Sequence, residues 1–130
     1  MIQFRLDPRS GVATYLQIVH QVRHAVRLGI LRPGDQLPTV KEVVGSLAIN
    51  PNTGQKAYRE LEHDGLVEGR PGLGTFVRET VKGPPSGNQA MLRRSLDKWI
   101  RSAYDEGLDA EDVRALFETS MRDLGKEGVA

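Results

Sequence analysis

The sequence predicts a mainly α-helical protein with one small β-hairpin, followed by a tail of two further helices. Three observations support this fold class. Apolar residues recur at helical spacing in three successive segments before residue 64. Two short segments of strand composition, joined by proline and glycine, follow at once. Helical periodicity then returns twice after the proline- and glycine-rich stretch "KGPPSGN". At 130 residues, the chain has the length of one domain, or of a small domain with an appendage.

The composition excludes several classes of protein. Apolar residues make up 38% and charged residues 27% of the chain, as in soluble globular proteins. The chain has no cysteine, which excludes disulfides and thiolate metal sites. The first residues contain no apolar secretory segment, and there is no run of about 18 apolar residues to span a membrane. We therefore expect a cytoplasmic protein with no membrane partner.

The charges are unevenly distributed along the chain, although the net charge is only +1. Residues 1–78 carry ten Lys and Arg against seven Asp and Glu, whereas residues 79–130 carry eight against ten. The first part is therefore the candidate for contact with an anionic partner. Because its excess of positive charge is small, the positions of particular side chains must decide.

The chain opens with "IQFRLD", in which apolar and polar residues alternate. This pattern predicts either a short strand or an extended arm. A helical period begins at Thr14, and Gly29 with the turn sequence "RPGD" ends this first helix. Its apolar face consists of Tyr15, Ile18, Val19, Val22, Ala25 and Val26.

Two more helices follow at close spacing. Thr39, with Glu42 three residues later, forms a capping box that predicts the start of the second helix, which ends near Ala48. Asn50 caps the third helix, and Pro51 occupies its first position, where a missing N–H loses no hydrogen bond. Two tightly joined helices, the second beginning with small polar side chains, are typical of a helix-turn-helix motif.

A hairpin directly after the third helix makes the motif a winged one. Gly65 ends the helix, and the segments "LVEGR" and "GTFVRE" have the composition of strands. Pro71, Gly72 and Leu73 join them. We therefore predict a winged helix-turn-helix domain over residues 1–78.

A linker is predicted over residues 79–88, and a helical tail over residues 89–130. Asp109, with Asp112 three residues later, marks the start of the second tail helix. Two such helices are too short to bury a core alone, so their apolar faces need either the first domain or a second copy of the chain. We expect a dimer formed by Leu92, Leu96, Trp99, Ile100, Val113, Leu116, Phe117, Met121 and Leu124.

The exposed face of the third helix is the candidate for base contacts, because the second helix of a helix-turn-helix motif enters the major groove. The side chains with suitable hydrogen-bonding groups are Asn50, Asn52, Thr53, Gln55 and Lys56. Arg59, Lys41 and Arg70 are candidates for phosphate or minor-groove contact, and Gly72 for close approach of the hairpin. A solvated helix face, and a glycine that the turn itself requires, would explain the same residues without DNA.

Two continuous segments resemble the GntR family of bacterial transcription regulators. "YLQIVHQVRHAVRLGILRPGDQLPT" is similar to the first helix and turn of its DNA-binding domain, and "LPTVKEVVGSLAINPNTGQKAYRELEHDGLVEGRPGLGTFV" is similar to its signature. The short tail resembles that of the YtrA subfamily, in which it serves dimerisation. The resemblance implies a homodimer that binds double-stranded DNA and usually represses transcription. The repressed operons often encode ABC transporters. It implies DNA contact at the residues proposed above, apart from Arg59.

Gly54 and Lys41 depart from the family pattern, which has an apolar residue such as valine at the first position and commonly arginine at the second. Glycine inside a helix costs about 1 kcal/mol relative to alanine. We expect unfilled volume at Gly54, so that alanine would stabilise the protein unless the second helix packs against the bare backbone.

An enzyme and a module that binds only proteins are the alternatives. His20 and His24 have the spacing of metal ligands on a helix, but no third ligand accompanies them, and no catalytic motif is present. We therefore expect no catalytic residue, no metal and no cofactor. A winged helix that binds only proteins would show no salt-sensitive binding to DNA. The tail is too short for an effector pocket within one subunit, so a small-molecule effector site should either lie between subunits or be absent.

Overall fold

The computed structural model of the chain describes residues 1–82 and 89–128, with side chains as far as residue 125. Residues 83–88 of the predicted linker and residues 129–130 of the predicted tail lie outside the described residues. Contacts between residues divide the chain into two compact units, Met1–Pro85 and Ser86–Ala130. The described parts of these units are called the head, residues 1–82, and the tail, residues 89–128.

The described part of the head contains three helices followed by a β-hairpin. The helices are α1 (Thr14–Arg27), α2 (Val40–Leu47) and α3 (Pro51–His63). The hairpin joins β1 (Val67–Arg70) to β2 (Gly74–Val77) in antiparallel pairing. This order confirms the predicted fold class.

Local hydrogen bonds fix both helix starts of the motif. The Glu42 backbone N–H donates to the Thr39 hydroxyl at 3.0 Å, and the Thr39 N–H donates to the Glu42 carboxylate at 3.2 Å. The Asn52 N–H donates to the Asn50 side-chain oxygen at 2.8 Å. Both predicted caps are therefore confirmed. Between the two helices, Ala48 ends α2 in the left-handed conformation, with φ at 53°.

The core of the head lies where the three helices meet the hairpin. Helix α3 is its centre, because it packs against α1, α2 and β1. The largest fully buried side chains are Ile18, Leu37, Leu61, Val19, Val22, Val43, Val67 and Val77. The buried hydroxyl of Tyr58 donates to the Pro38 carbonyl. Burial, helped by the Glu42 carboxylate, raises the pKa of Tyr58 well above its usual range, so the phenol keeps the proton that it donates.

The first residues form an extended arm and not a strand. Ile2, Phe4 and Leu6 pack against the core of the head. The side chain of Gln21 accepts from the Arg5 N–H at 2.9 Å and donates to the Arg5 carbonyl at 2.6 Å. Gln17 binds the backbone of residue 7 in the same way. Glutamine side chains of α1 thus take the place of a partner strand.

The hairpin is tied to the loop that precedes α2. The Leu37 N–H donates to the Thr75 carbonyl at 2.8 Å, and the Val77 N–H donates to the Asp35 carbonyl at 2.8 Å. The Gln36 side chain adds a bond to the Leu73 carbonyl at 3.1 Å. The hairpin is consequently fixed relative to the start of α2.

The tail contains α4 (Gln89–Asp105) and α5 (Ala110–Gly128). The reciprocal bonds of Asp109 and Asp112, at 2.8 and 3.1 Å, confirm the predicted start of the second tail helix. In the described part of the tail, the buried apolar side chains are those of Ala103 and Val113. None of the helices in the described ranges has the length and apolar composition needed to cross a membrane.

Candidate nucleic-acid interface

The first half of α3 presents polar side chains to solvent. Asn52, Gln55 and Lys56 are exposed, and Thr53 is half-buried between them. Helix α3 buries its opposite face against α1 and α2, so these side chains point away from the core. Asn50 is also exposed, but its side-chain oxygen caps the helix and only its amide N–H groups remain to donate.

The amine of Lys56 lies 4.1 Å from the centre of the Tyr15 ring, at the start of α1. This cation–π contact orients the lysine along the surface where α1 and α3 meet. Arg59, which is one turn further along α3, is exposed. The sequence contains no signal for the Lys56–Tyr15 contact, because the two residues belong to different helices.

Arg70 in the hairpin is held by two neighbours. Its Nε and Nη2 atoms lie 3.2 and 2.9 Å from Glu68 Oε1, and its guanidinium lies 4.4 Å from the centre of the Phe76 ring. Arg70 also lines an open groove of about 630 Å³ between the hairpin turn and Thr39. The predicted hairpin arginine therefore lines a groove, and its guanidinium already forms a salt bridge with Glu68.

The hairpin turn requires its glycines. Gly72 and Gly74 have φ values of +75° and +125°, which favour glycine over other residues. A Cβ atom on Gly74 would also lie 2.8 Å from the Gln36 side chain. The turn therefore explains both glycines, and contact of Gly72 with DNA stays a prediction.

The expectation of unfilled volume at Gly54 is wrong. A Cβ atom there would lie 3.0 Å from a methyl group of Val44 and 3.2 Å from one of Val40. Both valines belong to α2, so this helix packs directly against the backbone of α3. Gly54 allows the two helices of the motif to approach closely, and the valines fill the space that a larger side chain would occupy.

The opposite end of α3 is anchored to α1 through a salt bridge. Arg23 Nη2 lies 2.6 Å from Asp64 Oδ2, and both side chains are partly exposed. Asp64 follows the last residue of α3, so the salt bridge holds the acidic end of this helix against α1. The polar start of α3 is at the other end of the helix and remains exposed. This contact joins residues far apart in sequence, and no local pattern indicates it.

Other predicted site residues occupy varied positions. Lys41 is exposed near the start of α2. In the tail, Val113 is buried and Ile100 is half-buried, whereas the other predicted dimer residues are exposed. The rings of His20 and His24 stack at 6.3 Å, and no group of three potential metal ligands occurs among the described residues.

Comparison with known proteins agrees with this geometry. The model of the gntR family of bacterial regulatory proteins matches residues 14–77. The chain is 39% identical over 125 residues to the HTH-type transcriptional repressor YtrA of Bacillus subtilis (strain 168), covering 95% of each chain. It is 34% identical over 105 residues to the uncharacterized HTH-type transcriptional regulator YhcF of the same strain, covering 81% of this chain and 87% of the relative.

A solved structure extends the likeness to three dimensions. The crystal structure of a transcriptional antiterminator from Listeria monocytogenes EGD-e has a TM-score of 0.59 and 28% identity, covering 94% of this chain and 92% of that one. The similarity to relatives in sequence and structure thus includes the tail as well as the head. The chain belongs to the gntR family of bacterial regulatory proteins, within its YtrA-like subfamily, and is a DNA-binding transcription regulator rather than an enzyme or a module that binds only proteins.

Proposed function

We propose that the protein is a homodimeric repressor that binds an inverted repeat in double-stranded DNA in the cytoplasm. The observation that carries this proposal is the exposed polar start of α3, in a domain whose hairpin places an arginine in a groove that Thr39 also lines. A relative that is 39% identical across 95% of the chain is a transcriptional repressor, which supports repression as the outcome. The family resemblance favours an operon for an ABC transporter as the regulated target.

Asn52 and Gln55 are the residues that we assign to base readout. They lie three positions apart and are both exposed, so they share one face of the first turns of α3. Each side-chain amide presents a donor and an acceptor, which match the adenine edge in the major groove. Thr53 lies between these two residues in sequence, Lys56 follows Gln55, and the exposed amide of Asn50 lies at the helix start.

Lys41, Arg59 and Arg70 are the residues that we assign to the phosphate backbone. Lys41 lies near the start of α2, Arg59 lies one turn beyond Gln55, and Arg70 lies in the hairpin. They therefore lie on three separate elements of the head. Such contacts fix the position of the helix in the groove and give affinity without sequence preference.

The tail supplies the proposed dimer interface. Trp99 is 38% exposed, Phe117 is 43% exposed and Leu124 is 65% exposed within one chain. Exposed large apolar side chains, when they cluster, mark interaction sites. In a two-fold dimer, the tail of one subunit would pack against the same surface of the second tail. Such a dimer presents two copies of α3 to the two half-sites of an inverted repeat. Any small-molecule effector would then bind between the subunits.

Selection of binding sequences from a random DNA library tests the proposal. We expect an inverted repeat whose half-site centres lie one helical turn, or a near multiple, apart. Affinity should fall steeply with salt as phosphate contacts release counterions. A single unrepeated half-site, or binding that does not respond to salt, would contradict the proposal.

Single substitutions then separate the two kinds of contact. Asn52→Ala or Gln55→Ala should change the preferred bases, at about 1–3 kcal/mol for each lost bidentate contact. Lys41→Ala should weaken binding to operator and random DNA alike, and lower the salt slope by about one. Lys98→Ala, in the tail, is the control of matched chemistry and should leave the slope unchanged. Equal losses on every sequence for all three head variants would refute this division of roles.

A further inference from the structure

Arg70 contacts two residues, Glu68 and Phe76, to which the family resemblance assigns no role in DNA binding. Glu68 and Arg70 are two positions apart on β1, and Phe76 is directly opposite Glu68 on β2. Side chains alternate between the faces of a strand, so all three lie on one face of the hairpin. The arginine is therefore held from one edge by a carboxylate and from one side by an aromatic ring.

The carboxylate occupies only one edge of the guanidinium. Glu68 Oε1 accepts from Nε and Nη2, which form the lateral edge of the arginine fork. This leaves both N–H groups of Nη1 and the second N–H of Nη2. Among the described residues, no hydrogen bond or salt bridge uses that outer edge. The central carbon of the guanidinium lies over the Phe76 ring, and the outer edge can still bind a phosphate or a base in bidentate fashion.

A stabilising role alone does not explain this arrangement. The side chains of Arg70 and Glu68 are 38% and 39% exposed, and ion pairs at such exposure add little to stability. A carboxylate in a DNA-binding hairpin should also repel phosphates. An arginine that is already immobilised, however, loses less side-chain entropy when it binds.

We propose that Glu68 is a positioning residue for DNA binding, which with Phe76 holds the Arg70 guanidinium so that its outer edge is available to DNA. This inference rests on the proposed function, because it requires Arg70 to contact DNA. According to this proposal, the negatively charged Glu68 carboxylate strengthens binding to DNA, although DNA is itself negatively charged. The effect acts through Arg70 and should disappear when Arg70 is absent.

A double-mutant cycle tests the sign of this effect. In the full-length protein, Glu68→Ala should weaken operator binding about two- to tenfold, as expected when a long side chain loses its pre-organisation. In the Arg70→Ala background, the same change should instead strengthen binding up to about fivefold, because an unpaired carboxylate then only repels phosphate. Glu68→Gln, which keeps an acceptor oxygen, should give an intermediate loss in the wild-type background.

Glu62 provides a matched control. Its carboxylate lies 3.0 Å from where a Cβ atom on Gly69 would be, so it is beside the same strand. Among the described residues, it forms no salt bridge with an arginine. Glu62→Ala should therefore strengthen binding slightly in both backgrounds. Thermal unfolding of every variant should show unchanged melting temperatures within a few degrees.

Three outcomes would overturn the inference. Stronger binding by Glu68→Ala in the wild-type background would show that the carboxylate masks Arg70. An equal loss in both backgrounds, with a lowered melting temperature, would show a merely structural role. If Arg70→Ala had no effect, neither the inference nor the proposed hairpin contact would stand. Failure of the protein to select any DNA sequence would instead refute the proposed operator, while the cycle could still be measured on random duplex DNA.

Discussion

The head and the tail are both helical, but they bury their apolar side chains to very different degrees. In the head, side chains such as Ile18 and Leu61 are fully buried among the helices and the hairpin. In the tail, Leu92, Met121 and Leu124 remain more than half exposed. The head therefore possesses a core of its own, whereas the described tail does not.

This difference indicates where each part obtains its stability. We expect the head to fold as an independent unit, because α3 packs against α1, α2 and β1. The two tail helices contact each other, and this contact buries Ala103 and Val113. In proteins, helices gain most of their stability from packing an apolar face. We infer that the tail is completed by association, so its stability should depend on protein concentration.

The largest expected effect follows from removing the tail. A chain that ends at Lys82 should melt cooperatively, sediment as a monomer and bind operator about 10²–10⁴-fold more weakly, because the second half-site is no longer tethered. Sedimentation and gel-shift titration measure these effects. If the chain of residues 1–130 were a monomer at micromolar concentration, the apolar residues of the tail would have to pack on the head instead. The tail would then not be a dimer interface.

Leu61→Ala tests the core of the head. Leu61 is 0% exposed, and such a truncation typically lowers the free energy of unfolding by about 2–5 kcal/mol. Denaturant unfolding of the chain ending at Lys82 measures this loss, which should not vary with protein concentration. The same substitution at Leu124, which is 65% exposed, should leave the unfolding of dilute full-length protein nearly unchanged. Similar losses at both positions would show that the tail has a core within one subunit.

Phe117→Ala tests the proposed association of the tail. A buried phenylalanine contributes about 1.5–3 kcal/mol, and a two-fold interface contains the residue twice. The dissociation constant of the dimer should therefore rise at least about tenfold, as measured by sedimentation. Glu118→Ala, at the next position of the same helix, should change it little. Equal effects of the two substitutions would place the interface on another face.

Gly54→Ala, which tests the close packing of α2 on α3, should change the free energy of unfolding least. Overpacking costs about 1–3 kcal/mol and the gain in helix propensity is about 1 kcal/mol, so a net loss of about 1 kcal/mol is expected. Gly45→Ala is the matched control: Gly45 lies in α2, nothing among the described residues lies within 4 Å of its added Cβ, and stability should rise. On a Val44→Ala background, the loss at Gly54 should become smaller, because only the contact with Val40 then remains. A higher melting temperature for Gly54→Ala alone would show that Val40 and Val44 yield easily.

Features that depend on neighbours in sequence could be predicted. The caps at Thr39 and Asn50 involve residues two or three positions away, so composition and spacing were sufficient. The hairpin could likewise be predicted, because its strand residues and the glycines of its turn are adjacent in sequence. The alternative between strand and arm in the first residues stayed open, because Gln17 and Gln21 bind that segment from a different helix.

The sequence by itself determined the order of helices and hairpin, the family, and which residue types are available for contact with DNA. Only the tertiary structure decided the approach of Val44 to Gly54, the placement of Lys56 on Tyr15 and the pairing of Arg23 with Asp64. The physical reason is the range of the interactions. Helix starts and turns satisfy backbone groups of adjacent residues, whereas packing distances and charge pairs arise only after separate elements have come together.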